Sequence, residues 1–92
     1  MHEIRLDITP FEEKISLHRY LKESMGYPFY YGANLDALYD ELTSVTEPTH
    51  ITLCYSTQPK GKMLEYTPRL LKVFGDAASE NYNLKLTVRA MD

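Results

Sequence analysis

The chain contains no tryptophan and only one cysteine, Cys54. A lone cysteine can form neither an internal disulfide nor a cysteine-based metal site, so an apolar core must hold the fold unaided, as in proteins of a reducing compartment. Cys54 itself reads as a small buried hydrophobe, because nothing beside it in sequence would activate a thiolate. Long apolar runs are also missing. The opening MHEIRLDITP carries two acids and no unbroken apolar stretch, which excludes a secretory leader there, and no later segment approaches the roughly 18 apolar residues of a membrane span. A cytoplasmic protein without membrane contact is expected. Basic residues are in the minority, ten Lys and Arg against thirteen Asp and Glu, for a formal net charge of −3. Such a field repels nucleic-acid phosphates and favours basic protein surfaces, so direct nucleic-acid binding is not expected.

What remains is an ordinary globular composition, with no stretch rich enough in Pro, Gly, Ser or charge to stay unfolded. Ninety-two residues suffice for one core and are too few for two, so residues 1–92 read as one small domain. Ile4, Leu6 and Ile8 alternate with Glu3, Arg5 and Asp7 as a strand with one buried face. Thr9, Pro10 and Glu12 then spell a capped helix start, and Phe11, Ile15, Leu17, Leu21 and Met25 continue at mostly helical spacing until Gly26 and Pro28. An aromatic loop follows, from Tyr27 to Gly32. Asn34 is placed to cap a second helix running to about Thr43 or Ser44. Ile51, Leu53 and Tyr55 form a second strand after Pro48, and Ser56 to Lys62 a polar connection. Met63 to Tyr66 reads as a short turn before a third helix capped at Thr67-Pro68, with Leu70, Leu71, Val73, Phe74, Ala77 and Ala78 as its apolar stripe. Leu84, Leu86, Val88 and Ala90 give a third strand. Strands separated by helices favour an α/β fold with a parallel sheet, whose strand order the pattern leaves open.

The second helix carries the one arrangement that folding does not explain. At 100° per residue, Leu35, Leu38 and Leu42 share one side, Asp36, Asp40 and Thr43 another, and Tyr39 lies between them. The helix N-terminus favours Asp36, but Asp40 is too far along to benefit, and like charges at i and i+4 repel by about 0.2–0.5 kcal/mol. A solvated face is the plain reading of such a pair. A metal site would need more oxygen ligands, and no DxDxDG-like loop is present. Acid–base catalysis would need groups driven to different pKa values in a cleft, and no base or nucleophile accompanies the two acids. His2, His18 and His50 are scattered, and His18, among core positions, reads as a packing or hydrogen-bonding residue. Neither enzyme chemistry nor a cofactor or metal is expected.

The stretch Tyr30-Tyr31-Gly32-Ala33-Asn34-Leu35-Asp36-Ala37-Leu38-Tyr39-Asp40-Glu41-Leu42-Thr43 closely resembles the barstar family pattern YYGxNLDALxDxLT. The likeness extends more weakly through Leu17-His18 and Leu21, and through Val73-Phe74 with Asp76 and Ala77, so it spans nearly the whole chain. It implies a three-stranded parallel sheet packed with helices, in a single small domain that inhibits guanyl-preferring microbial ribonucleases. These are secreted enzymes with basic active sites. By resemblance, Asp40 matches the carboxylate that enters the nuclease's phosphate pocket, and Asp36 the acid that pairs with basic groups beside it. Tyr30 matches the aromatic that packs over the catalytic histidine, and Thr43 a smaller contact. Tyr31, Asn34, Tyr39 and Asp76 complete the expected partner-binding set, with Asn34 and Gly32 as shapers of the loop: Gly through a positive φ, Asn as a cap. Tyr39 and Val45 stand where the best-known member has tryptophans, and Asp76 where it has glutamate, which leaves affinity and choice of nuclease open. The resemblance implies a monomer that blocks its partner one to one, without turnover, as an immunity protein protecting the producer's own RNA. A module on the same fold that neutralises a different basic toxin, or regulates some other basic protein, is the alternative.

Overall fold

In the computed structural model, which describes residues 1–92, three strands form one parallel sheet in the order β1-β2-β3: β1 is His2–Asp7, β2 is Thr49–Tyr55 and β3 is Leu84–Ala90. The expected parallel sheet is present, and the order left open by the sequence places β2 at its centre. Three helices accompany it: α1 (Lys14–Met25), α2 (Leu35–Thr43) and α3 (Met63–Glu80).

Period-two alternation explains the two faces of the sheet. Leu6, Ile51, Leu53 and Leu84 join Leu17, Leu21, Leu38, Leu42, Leu70 and Phe74 in one core cluster, so the helices cover that face. The register aligns Glu3 with His50 and Lys85, and Arg5 with Thr52 and Thr87, on the opposite, polar face. There His50 bridges the strands, its ring nitrogens 2.8 Å from Glu3 Oε1 and 2.8 Å from Thr87 Oγ1. Cys54 lies on this polar side, fully buried and outside the apolar cluster, and receives a long hydrogen bond from Arg5 Nε at 3.4 Å.

Two helix starts differ from the sequence expectation. The first helix begins at Lys14, not at Thr9-Pro10, because Thr9 is already committed: its N–H and its hydroxyl both donate to Asp7 Oδ1, at 3.0 and 2.7 Å. The expected Glu12 of the cap serves the connection instead, its carbonyl accepting from Lys62 N–H at 2.9 Å. Gly61 makes that approach possible, since a Cβ there would stand 2.8 Å from the Glu12 carbonyl oxygen and its φ is +60°. Leu17, His18 and Leu21 are the buried residues of α1, whereas Ile15, counted in the apolar stripe, faces solvent. At the other end Gly26 adopts the left-handed conformation that closes the helix, as expected.

The third helix begins at Met63, so the expected turn is its first turn and Thr67-Pro68 lies inside it. Proline removes one backbone hydrogen bond and crowds the carbonyl four residues back, at about 3 kcal/mol in a helix interior. Against that, Met63, Tyr66, Leu70, Phe74 and Ala77 form a buried stripe at helical spacing, and each large side chain contributes about 1.5–3 kcal/mol. The stripe decides. Pro68 is exposed, so its replacement disturbs no packing. Pro68→Ala is expected to raise stability by about 1–2 kcal/mol, read as a higher urea midpoint at unchanged slope.

Candidate functional site

Helix α2 has nine residues, and a helix shorter than about 12 is marginal alone in water. Its order comes from three attachments. Leu38 and Leu42, four apart on one face, are fully buried. At the N-terminus, Asn34 accepts from Ala37 N–H at 2.7 Å while its own amide donates to the Gly32 carbonyl at 3.1 Å, so the cap is also a clasp on the preceding loop. At the C-terminus, where carbonyls lack helical partners, the buried Asn81 amide donates to Leu42 and Val45 carbonyls at 3.1 and 2.9 Å. Asn81 follows α3, so the end of one helix fixes the end of the other.

The loop before α2 is seated from beneath by His18. This imidazole is 1% exposed and lies between two tyrosine hydroxyls, Nδ1 2.8 Å from Tyr31 and Nε2 2.7 Å from Tyr66. In the neutral ring one nitrogen donates to one hydroxyl and the other accepts from the second, so both phenols are satisfied. Burial, and secondarily the charge of Lys14, hold His18 below its ordinary pKa of 6.5. Burial likewise pushes the Tyr31 and Tyr66 hydroxyls up from theirs. Residues 27–31 are thereby pinned across α1 and α3, with Tyr27 and Tyr31 rings 5.0 Å apart.

The loop does not turn at Gly32 as expected. The positive φ falls on Ala33, at 52°, and Gly32 serves by being small: a Cβ there would meet Ala37 Cβ at 3.2 Å and Asn34 Nδ2 at 3.3 Å. Glycine at 32 thus lets the loop pack closely over the first turn of α2, where a larger residue would press on Ala37 and the Asn34 amide.

The expected contact residues fall into two groups. Tyr30, Asp36 and Asp40 are exposed, and neither carboxylate forms an ion pair within the chain. Asn34 is exposed but occupied as the cap. Tyr39 is half-buried against the core, and Tyr31 is turned inward to His18. Thr43 donates back to the Tyr39 and Asp40 carbonyls, at 2.9 and 3.2 Å. Asp76 stands on α3 and accepts from Lys72 Nζ at 3.0 Å, one turn away. Phe29 escaped the sequence reading: it is 87% exposed and meets Tyr30 edge-on at 5.5 Å. The cue was available in the aromatic run, but only the fold tells which of Phe29, Tyr30 and Tyr31 point outward. His18 is the buried hydrogen-bonding residue the sequence suggested, but its partners were not legible, and Tyr66 and Asn81 passed unread as supports.

From Tyr30 to Pro48 the chain has four acids and no Lys, Arg or His, so the surface of α2 is uniformly negative. No group of three His, Cys, Asp or Glu side chains is close enough to hold a metal ion, and no helix is long and apolar enough to cross a membrane. What the arrangement provides is unpaired carboxylates on a docked helix, edged by exposed aromatic rings. Carboxylates without partners in the chain attract basic groups.

The sequence model of the family described as "Barstar (barnase inhibitor)" matches residues 1–90. A protein of Bacillus subtilis (strain 168), named "Putative ribonuclease inhibitor YrdF", is 36% identical over 81 residues, which cover 87% of this chain and 89% of that protein. The chain belongs to the barstar family.

The His18 bridge generates a pH prediction. With its folded pKa below 6.5, the unfolded chain binds a proton that the folded protein refuses, so stability from this group is full above pH 6.5 and declines as pH falls toward the folded value. His18→Gln is expected to lose about 1–3 kcal/mol at about pH 8 and to show a smaller further loss on acidification to about pH 5.5 than the parent, by urea unfolding.

Proposed function

We propose that this protein is a stoichiometric inhibitor of a guanyl-preferring microbial ribonuclease, which it blocks by laying α2 and the Tyr30 loop across the active site. The family and the name of the Bacillus relative support ribonuclease inhibition. The observation that carries the mechanism is Asp40, exposed and without an ion-pair partner in the middle of a helix fixed at both ends. A nuclease that grips an RNA phosphate with arginine, lysine and histidine offers that same site to a carboxylate of fixed position. Asp36 pairs with basic groups beside the pocket. Tyr30 and Phe29 cover apolar ring surface nearby, and Tyr39 and Thr43 border the contact.

Rigidity matters to affinity here. A flexible acidic segment would lose conformational freedom on binding, whereas the docked α2 loses little, so more of the charge interaction is expressed as binding. The net charge of −3 accelerates encounter with a basic enzyme, and salt weakens that acceleration. No bond is made or broken, so inhibition is one to one and reversible. In a cytoplasmic setting such an inhibitor protects the producer's RNA from a nuclease destined for export.

The test is RNA cleavage by a panel of guanyl-preferring microbial ribonucleases titrated with the protein. Activity is expected to fall linearly to zero at one equivalent for at least one of them. Asp40→Ala, with an unchanged unfolding midpoint, is expected to raise the inhibition constant at least about 100-fold, since it leaves buried basic groups of the nuclease unpaired. A folded protein that inhibits none of the panel would refute the proposal.

A further inference from the structure

Beside the negative helix lies a concentration of positive charge that inhibition by α2 does not use. Lys14, the first residue of α1, and Arg69, from α3, converge on the ring of Tyr66, with Lys14 Nζ 4.8 Å and Arg69 Cζ 5.7 Å from its centroid. These two cations line two adjoining recesses. One, of about 280 Å³, is also lined by Lys62 and Glu65, and the other, of about 300 Å³, opens onto Asn34 and Asp36 at the start of α2.

None of Lys14, Lys62 and Arg69 forms an ion pair within the chain, although Glu65 lines the first recess and Asp36 the second. Glu65 balances one of the three cations of the first recess and Asp36 one of the two in the second, so each recess keeps a net positive charge, which contact with the Tyr66 face offsets in part. The charges are felt locally: that of Lys14 opposes protonation of His18, and that of Arg69 works against the effect of burial on Tyr66. The Tyr66 ring and the two carboxylates account for part of this grouping and leave an excess of positive charge beside α2.

We infer that the Lys14–Arg69 recess is a second docking point for the partner ribonuclease, receiving an acidic side chain that stands beside the nuclease's basic active site. The inference rests on the proposed inhibition and adds a condition to it. Because the second recess opens at Asp36, a protein laid across α2 also covers Lys14 and Arg69. The contact surface is therefore bipolar: negative along α2 and positive at its N-terminal flank. A suitable nuclease is basic at its centre and carries a carboxylate on that flank, and one with lysine or arginine there meets like charge and is rejected. A single carboxylate suits the recess better than a nucleic acid does, since Asp36, Asp40 and the net charge of −3 repel a polyanion.

The bland electrostatic expectation and this inference predict opposite signs, which makes the test decisive. Removing two positive charges makes the inhibitor more acidic, and if only overall charge matters, Lys14→Met/Arg69→Met binds a basic nuclease faster and more tightly. The docking point predicts the reverse: an inhibition constant raised about tenfold, chiefly through faster dissociation. Methionine retains the apolar stems against Tyr66, and an unchanged circular dichroism spectrum and unfolding midpoint verify the fold. The measurement uses a ribonuclease from the panel that the parent protein inhibits, together with alanine variants of the acids flanking its active site. One of those variants is expected to weaken binding of the parent and to have no further effect on the double variant. Unchanged or tighter inhibition by the double variant, with Asp40→Ala still impaired, overturns the docking point and leaves the proposed function standing. Absence of inhibition by the parent overturns both. Binding of a short single-stranded RNA by the parent that the double variant loses also overturns it, by assigning the recess to nucleic acid.

Discussion

The face formed by α2 and the aromatic loop depends on a buried interior group. His18 joins Tyr31 to Tyr66 through its two ring nitrogens, and so ties the aromatic loop, α1 and α3 at one point. Without it, burial of the two phenols would leave hydroxyls unsatisfied, and the loop would have no fixed height above the core. With it, Tyr31 is held inward while Phe29 and Tyr30 remain exposed. A hub of this kind works only with a neutral imidazole, which can donate at one nitrogen and accept at the other, and burial favours that neutral form.

The same division of labour governs α2. Its inner residues, Leu38 and Leu42, supply apolar burial, and Asn34 and Asn81 settle the polar ends, so none of these contacts uses the carboxylate of Asp36 or Asp40. The two acids are free to be placed for a partner, at the cost of mutual repulsion in the free protein. On the flank, Lys14 and Arg69 extend the surface with charge of the opposite sign. A patch of both signs specifies orientation in a way that a uniformly acidic one cannot, because rotating the partner brings like charges together.

Much of this was legible in the sequence where the determining interactions are local. Period-two alternation placed the strands, and the range Leu84–Ala90 needs no adjustment. Asn34 as the cap of α2 was readable because its acceptor role is completed three residues away. The errors arise where a residue has a competing partner or where distant packing outweighs a local signal. Thr9 is consumed by Asp7, and Pro68 is overridden by the apolar stripe from Met63 to Ala77. The pairings that support α2 and its loop were invisible for the same reason: His18 and Tyr66 are 48 positions apart, and Asn81 and Leu42 are 39 apart. The exposure of Asp36 and Asp40 and the hydrogen-bonding character of His18 were legible, but the distant partners that hold the helix and loop still were not.

The central claim is that the outward face of α2 and its aromatic edge form the contact with the nuclease. Backbone amide resonances of the isotope-labelled protein, followed while an inhibited ribonuclease is added, test it most directly. The account predicts that the largest shifts and the strongest protection from hydrogen exchange fall on residues 29–43 and on the neighbourhoods of Lys14 and Arg69, with the polar sheet face around His50 unaffected. A footprint centred on that sheet face, with Asp36 and Asp40 unperturbed, would contradict it.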